Sequence, residues 1–470
     1  MILKSKKNDL HGAITVPGSK SHTIRALILA TLAEGESHIE NPLEGEDCVS
    51  CAKAVEKIGA CVDFTKDNEK TVWKVRGAGN NFHLPSDIID VGNSGSVLYF
   101  LSPIVATRTG WSVFTGDKSI RTRPVKHLAD LLKQAGAEVH ITRPDCDAPP
   151  MIIQGPIEAK NLCTDGRLSQ YISGMMMAAT LLTGTTNIEL TDTKETPYLK
   201  MTKYWLENMH IPVEMSSDFR HISITGPKSI ESFNCTVPSD WEAVAFPLIA
   251  ALISDSVVTV EQIDISETQG DDAIVDILRS VGADAELDKS SKTLTVRGGT
   301  KSRIADIEKG WINGRLAIVD SETENEMRIN CSGFPDAVCA LATIACFIEG
   351  KIILEDIGVC RRKETDRIEV MSKELAKLGA DITAGEDFLI IRGHSPLLAD
   401  GNKNPDFKLR GGTIDSFHDH RVAMSFACLG LGLPDGEEVV IKDFECHAVS
   451  FPGFVQTMNA LGANFTESDT

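Results

Sequence analysis

One pattern, written six times, constrains this chain more than any other feature of it. An apolar helix rich in small residues runs to a Gly or Asp and is followed by a short β-branched strand. The copies are Arg25–Gly35 with SHIENPL, Ser96–Gly110 with WSVFTGD, Leu168–Gly184 with TTNIELTD, Asp240–Asp255 with SVVTVEQID, Pro335–Gly350 with KIILEDI and His420–Gly436 with EEVVIKDF. A second helix pattern interleaves with the first and usually closes on Gly-Ala: Asp47–Ala60, Pro124–Ala137, Leu199–Ile211, Asp271–Ala283, Thr365–Ala380 and Phe454–Ala463. In the fifth of these, Ile368, Met371, Leu375 and Leu378 fall at helical spacing and Gly379 supplies the C-cap. The third ends instead in His210 and Pro212. Two helices and several short strands per unit do not suit a Rossmann sheet. No Gly-rich loop carries a Walker lysine pattern, so ATP and NAD readings have little support.

The Gly-Ala landmarks stand about 75 residues apart in the first part of the chain, and the gap between the fourth and fifth units is about 20 residues wider. That surplus is assigned to the polar stretch 299–327, expected as an inserted surface hairpin or loop. Three units per domain is the natural division. Residues 1–19 with 240–470 are expected to form one discontinuous domain and 20–239 the other, with an active-site cleft between them. A hydrophobic content of 42% over 470 residues is enough for two such cores. The formal charge of −20 argues against a general nucleic-acid or anionic-membrane binder, while leaving room for a local basic site. The first ten residues are lysine-rich without an apolar stretch behind them, and Tyr171–Leu182 is too short to span a bilayer. Twelve cysteines are too sparse for a disulfide scaffold, and Cys48 and Cys51 lack a second pair for a metal knuckle. Reduced thiols in a cytoplasmic protein are expected.

Four basic clusters stand at helix starts or tight turns: PGSKSHTIR (17–25), DKSIRTRP (117–124), RRKETDR (361–367) and HDHR (418–421). A helix start offers unpaired N–H groups and a favourable dipole to an anion, and a neighbouring Lys or Arg adds charge where a phosphate or carboxylate would lie. GNSGS (92–96) would present backbone amides in the same way. Taken singly, each has a plainer reading: RRKETDR as solvated surface, GNSGS as a turn and N-cap, His420 as a satisfied polar residue. Their recurrence at equivalent places in a repeated unit favours ligand binding. Two carboxylates complete an acid–base set. Asp336 follows Pro335 at the start of an apolar helix, and Glu364 lies between Lys363 and Arg367.

The ordered string PGSKS…R, GNSG, RP, SQ, PY, PDA, KETDR, DHR and FP resembles the 5-enolpyruvylshikimate-3-phosphate synthase family along nearly the whole chain. The resemblance implies an α/β fold, the enolpyruvyl transferase-type inside-out α/β barrel, with two similar domains of three βαβαββ units each. It also implies transfer of the enolpyruvyl group of phosphoenolpyruvate to a hydroxyl of shikimate 3-phosphate, with phosphate released. By position, Lys20, Arg123, Arg367 and Arg421 would grip phosphoenolpyruvate, with Gly95 and Gln170 lining the site. Ser21 and Arg25 would hold the acceptor carboxylate. Ser169, Tyr198 and Lys363 would lie near the acceptor phosphate. Asp336, assisted by Lys20, would take the hydroxyl proton, and Glu364 would exchange a proton at C3. The resemblance implies small anionic substrates, no metal or organic cofactor, no nucleic-acid or membrane partner, and a monomer.

Several ligand-contacting positions depart from the family pattern. Leu168 replaces a serine, Glu195 stands where a serine is expected, Tyr99 replaces an arginine and Val449 a lysine. Val359 and His418 each replace an asparagine. A carboxylate aimed at a phosphate repels it unless protonated or turned away. These changes keep a second reading open: a divergent paralogue with a different, non-phosphorylated hydroxy or cyclic acid acceptor, or a related addition–elimination. A non-catalytic binding protein on the same scaffold is the third. Retention of Lys20, Asp336 and Glu364 together speaks against it.

Overall fold

The computed structural model describes residues 1–67, 70–306, 311–319 and 325–468. They form two compact units, Gly18–Pro238 and Met1–Pro17 with Ser239–Thr470. Each unit has its own buried apolar core. Among the described residues, the unit Gly18–Pro238 carries helices α1 (Lys20–Leu32), α2 (Glu46–Glu56), α3 (Gly95–Val105), α4 (Lys126–Ala135), α5 (Ser169–Ala179) and α6 (Thr196–Asn208). The other carries α7 (Trp241–Leu252), α8 (Ala273–Arg279), α9 (Val338–Ala345), α10 (Arg367–Lys377), α11 (His420–Leu431) and α12 (Phe454–Ala460).

The odd- and even-numbered helices differ because their sequences differ. The odd series is apolar or small on every face, and a helix hydrophobic all round must be buried all round. Every residue of α7 and of α11 is buried. Close approach is built in: a Cβ on Gly174 of α5 would lie 2.2 Å from the Tyr99 carbonyl of α3. The even series is amphipathic; α10 buries Arg367, Ile368, Val370, Met371, Glu374 and Leu375 and leaves its other face wet. Its N-cap Asp366 accepts from the Glu369 N–H. The closing glycines 59, 136, 282, 379 and 462 all have positive φ, and in the third copy His210 takes that left-handed position with φ 59°.

Among the described residues, three sheets in each unit share one pairing scheme: a parallel pair followed by two antiparallel pairings. In one, Asn161–Gly166 pairs parallel with Gly184–Thr193, which pairs antiparallel with His221–Gly226, and that strand with Glu214–Met215. In the discontinuous unit the scheme is completed from the start of the chain. Ile2–Lys6 sits between Glu438–Lys442 and Thr466–Ser468, and His11–Thr15 pairs with Val257–Glu261. Strand residues alternate in burial, as in Val257–Glu261 where Val258 and Val260 face the core.

Four local readings shift. The first helix starts at Lys20 and not Arg25, so its basic cluster occupies its opening turns. The helix placed at Leu199–Ile211 runs Thr196–Asn208, with Pro197 in its first turn, where a missing N–H costs nothing. Asp336 lies in a 3-10 turn, Pro335–Ala337, that leads into α9. Within the stretch 299–327, residues 307–310 and 320–324 lie outside the described residues. Leu316–Ala317 and Glu326–Asn330 are strands pairing parallel to Ile348–Glu355, so these parts belong to the sheet and are not surface loop. Among the described residues no helix is long and apolar enough to cross a membrane.

Candidate active site

In the unit Gly18–Pro238, the expected ligand residues gather at the starts of α1, α3 and α5, whose first residues are Lys20, Gly95 and Ser169. Glycine at 95 has a steric cause. A Cβ there would lie 2.6 Å from Arg123 Nη1, so its absence lets the guanidinium rest on the first turn of α3. Arg123 Nη2 donates to Asn93 Oδ1 at 3.2 Å, and Asn93 Nδ2 donates to Asp117 Oδ2 at 2.7 Å. The Tyr99 hydroxyl donates to the Pro124 carbonyl at 2.6 Å, which supports the turn carrying Arg123. Gln170 Nε2 donates to Ser96 Oγ at 2.9 Å and thereby joins the starts of α5 and α3. Lys20 Nζ lies 3.5 Å from Asp47 Oδ2 of α2.

Arg25 is buried, and among the described residues no carboxylate forms an ion pair with it. Its Nε donates to Thr202 Oγ1 at 2.9 Å, Nη1 to the Ser21 carbonyl at 3.0 Å and Nη2 to the Tyr198 carbonyl at 3.1 Å. Its guanidinium carbon lies 4.8 Å from the centre of the Phe100 ring. Burial pushes Arg25 down to about 9, with Tyr198 opposing. A cation held by neutral oxygens alone is a receptor for an incoming carboxylate, which would relieve that burial cost.

Glu195 is the oddest departure. Its carboxylate is buried and accepts from the Ser169 N–H at 3.0 Å and from Ser169 Oγ at 2.9 Å. A protein carboxylate therefore occupies the anion-favouring start of α5. Glu195 itself has φ 51°, a left-handed conformation that non-glycine residues adopt at a cost. Tyr198 follows one turn into α6, its N–H donating to the Glu195 carbonyl at 3.1 Å.

In the other unit the residues converge on Arg367, whose side chain is 1% exposed. Its Nη1 donates to Asp336 Oδ1 at 2.6 Å and its Nη2 to Glu364 Oε2 at 2.7 Å. Nε and Nη2 also meet the two oxygens of Asp419 at 2.9 and 3.2 Å. Burial works to lower Arg367, but Asp419, Glu364 and Asp336 outweigh it and hold the group well above its ordinary value. The expectation that Arg367 grips a ligand thus meets a guanidinium already committed to three carboxylates. Asp336 is flanked by two further cations, Arg421 Nε at 3.4 Å and Lys363 Nζ at 3.6 Å. Asp336 and Glu364 keep 15% and 12% of their side-chain surface accessible, so both can still meet a substrate.

The sequence reading missed four acidic residues here. Asp419 caps α11 and clamps Arg367; the signal for it was its place just before an apolar helix. Glu242, a charged residue in the otherwise apolar α7, pairs with Arg421. Asp47 pairs with Lys20. Asp271 is buried with Oδ1 accepting no hydrogen bond. Burial, then Asp336, Asp240 and Asp272, raise its carboxyl well above the usual range, with Lys363 partly opposing. Of the other departures, Val359 and Val449 are half-buried and His418 is exposed.

The family model for EPSP synthase (3-phosphoshikimate 1-carboxyvinyltransferase) matches residues 4–458. A 3-phosphoshikimate 1-carboxyvinyltransferase of Ruminiclostridium cellulolyticum is 35% identical over 462 residues, covering 98% of this chain and 99% of the relative. That of Acetivibrio thermocellus is 34% identical over 466 residues, covering 99% of each. Among solved structures, EPSP synthase from Acinetobacter baumannii superposes with a TM-score of 0.77 at 26% identity, covering 100% of both chains. The enolpyruvyl transferase NikO from Streptomyces tendae shares the fold, with a TM-score of 0.74 at 16% identity over 99% of this chain and 98% of that one.

Proposed function

The chain belongs to the EPSP synthase (3-phosphoshikimate 1-carboxyvinyltransferase) family, and from that premise we propose that it transfers the enolpyruvyl group of phosphoenolpyruvate to a hydroxyl of shikimate 3-phosphate and releases phosphate. The observation that carries the chemical reading is the pair of carboxylates, Asp336 and Glu364, held on one buried guanidinium at 2.6 and 2.7 Å. Two carboxylates locked in place yet partly accessible suit a reaction that moves two protons. In this reading Asp336 takes the proton of the attacking hydroxyl, with Lys20 assisting, while the oxygen bonds to C2 of phosphoenolpyruvate. Glu364 gives a proton to C3. The tetrahedral ketal then loses phosphate as C3 returns its proton, which restores the double bond.

Lys20, Arg123 and Arg421 stabilise the phosphate and carboxylate charge of phosphoenolpyruvate, with Gly95 and Gln170 beside them. Arg367 contributes by fixing the two carboxylates. Ser21 and Arg25 take the acceptor carboxylate, and Tyr198 and Lys363 its phosphate; Ser169 joins them only when its N–H and hydroxyl turn from Glu195 to the phosphate. The reading brings with it an inside-out α/β barrel of three βαβαββ repeats in each unit, and a cytoplasmic, monomeric shikimate-pathway enzyme serving aromatic amino acid biosynthesis. No cofactor, nucleic acid or membrane enters it.

The test measures inorganic phosphate released from phosphoenolpyruvate across a panel of acceptors, with the carboxyvinyl product identified by mass. Phosphate release that requires shikimate 3-phosphate, and that falls at least ~100-fold in Asp336→Ala and Glu364→Gln, is expected. Turnover of an unphosphorylated acceptor in preference to shikimate 3-phosphate would overturn the reading.

A further inference from the structure

Apart from the residues assigned to that reaction, one group of side chains among the described residues converges with the makings of a metal-ligand set. His418 sits in the turn that leads into α11, Asp443 just after the strand Glu438–Lys442, and Glu445 in the 3-10 turn Phe444–Val449. One ligand atom from each lies within 4.8 Å of the other two. His418 and Asp443 both take left-handed backbone conformations, with φ of 59° and 56°. The Ser416 hydroxyl donates to the Asp443 carbonyl at 3.3 Å and ties the two turns together.

The three ligand atoms lie close enough to share one ion, and none of the three side chains hydrogen-bonds another. His418 Nε2 and Asp443 Oδ2 are 3.8 Å apart, too far for a hydrogen bond. Two ligands on one tetrahedral ion with bonds of ~2.0–2.1 Å stand about 3.4 Å apart, a small rotamer adjustment from what is seen. Neither the imidazole of His418 nor the carboxylate of Asp443 has a hydrogen-bond partner among the described residues. Glu445 Oε2 is 2.9 Å from the Met1 amino group, which a monodentate ligand tolerates because a carboxylate has two oxygens.

We propose that His418, Asp443 and Glu445 form a surface site for a divalent transition-metal ion, with Zn2+ as the representative case. One imidazole and two carboxylates suit the borderline ions of that series, whereas Ca2+ and Mg2+ prefer all-oxygen shells. The exposed side leaves the remaining coordination to water. The site is independent of the enolpyruvyl reading. Its position gives it a structural consequence, because His418 directly precedes Asp419, the residue that clamps Arg367.

Zn2+ alone, titrated calorimetrically into the full chain after alkylation of its exposed thiols Cys61 and Cys163, tests the proposal. One ion per chain is expected, with a rise in Tm by mass action. Affinity should fall at least ~10-fold, and the rise in Tm should vanish, in His418→Asn and in Glu445→Gln, with excess Ca2+ failing to displace the ion. Both positions are exposed, so the ion-free variants should melt with the wild type. Equal affinity in wild type and both variants, or no saturable binding at all, would overturn the proposal.

Discussion

Asp419 is the residue whose removal should be felt most widely. It accepts from Arg367 Nε and Nη2, from Thr365 Oγ1 at 3.0 Å and from the Arg421 N–H at 2.9 Å, with its own side chain 0% exposed. Asp419→Ala deletes the N-cap of α11, which costs about 1 kcal/mol. It also takes one carboxylate from a buried arginine, and breaking a buried pair from one side costs about 3–5 kcal/mol. Arg367 retains Asp336 and Glu364, so the lower end applies and the sum is about 4 kcal/mol. Asp419→Asn keeps an acceptor for the cap and loses the charge, so it should cost less than alanine. The same change frees the guanidinium that orients Asp336 and Glu364. A misplacement of ~1 Å at a reacting centre can cost on the order of 100-fold, and kcat should fall on that scale. Urea unfolding gives the stability and phosphate release gives the rate. An alanine variant within about 1 kcal/mol of wild type and with unchanged kcat would refute the idea that Asp419 holds the arginine hub.

Three further perturbations probe other parts of the site. Glu195→Gln removes the charge that Ser169 now binds, so the KM for a phosphorylated acceptor should drop several-fold at a stability cost of about 1 kcal/mol; a higher KM would show that the carboxylate assists binding. Gly95→Ala places a methyl 2.6 Å from Arg123 Nη1, and because the guanidinium is the movable end of a long side chain, the KM for phosphoenolpyruvate should rise with little change in urea midpoint. Loss of stability without a KM effect would mean that the backbone yields instead. Asp271 is a carboxyl raised by burial and by neighbouring acids, so its contribution to stability is present below its unfolded pKa of about 3.9 and is lost as pH rises through the folded value. Asp271→Asn should therefore gain on wild type as pH rises above about 4, and a difference that does not change with pH counts against the assignment.

Much of this molecule is legible from local pattern. The sixfold alternation predicts the helices because an all-round apolar helix and an amphipathic one have different sequences, and α7 and α10 realise the two extremes. The basic clusters that hold Lys20 and Arg367 are expected at helix starts or tight turns, and each of these two residues is the first of its helix; Gly95 and Ser169, named from the resemblance, are first residues as well. The countercharges are not legible in this way, because a partner distant in sequence leaves no periodic trace. Asp419 is 52 residues from Arg367, and the Glu242 that meets Arg421 comes from another helix altogether. Nor does a motif reveal where a carboxylate points. Glu195 looked like a conflict with a phosphate, and the structure turns it onto the start of α5.

The strand pairing of the discontinuous unit has a consequence for how the chain is made. Ile2–Lys6 lies between two strands near the other end of the chain, and Leu3 pairs with both Ile441 and Glu467. A chain growing on a ribosome can complete Gly18–Pro238 once that stretch has emerged, while Ile2–Lys6 waits for Glu438–Lys442, which is made long after it. Domains tend to finish as units during synthesis, and contacts so distant in sequence are slow to form. Until residue 442 appears, Ile2–Lys6 is an unpaired edge with Leu3 exposed, the kind of segment that invites wrong partners. Its alternating lysines, at 4 and 6 with another at 7, are the guard that such a wait requires.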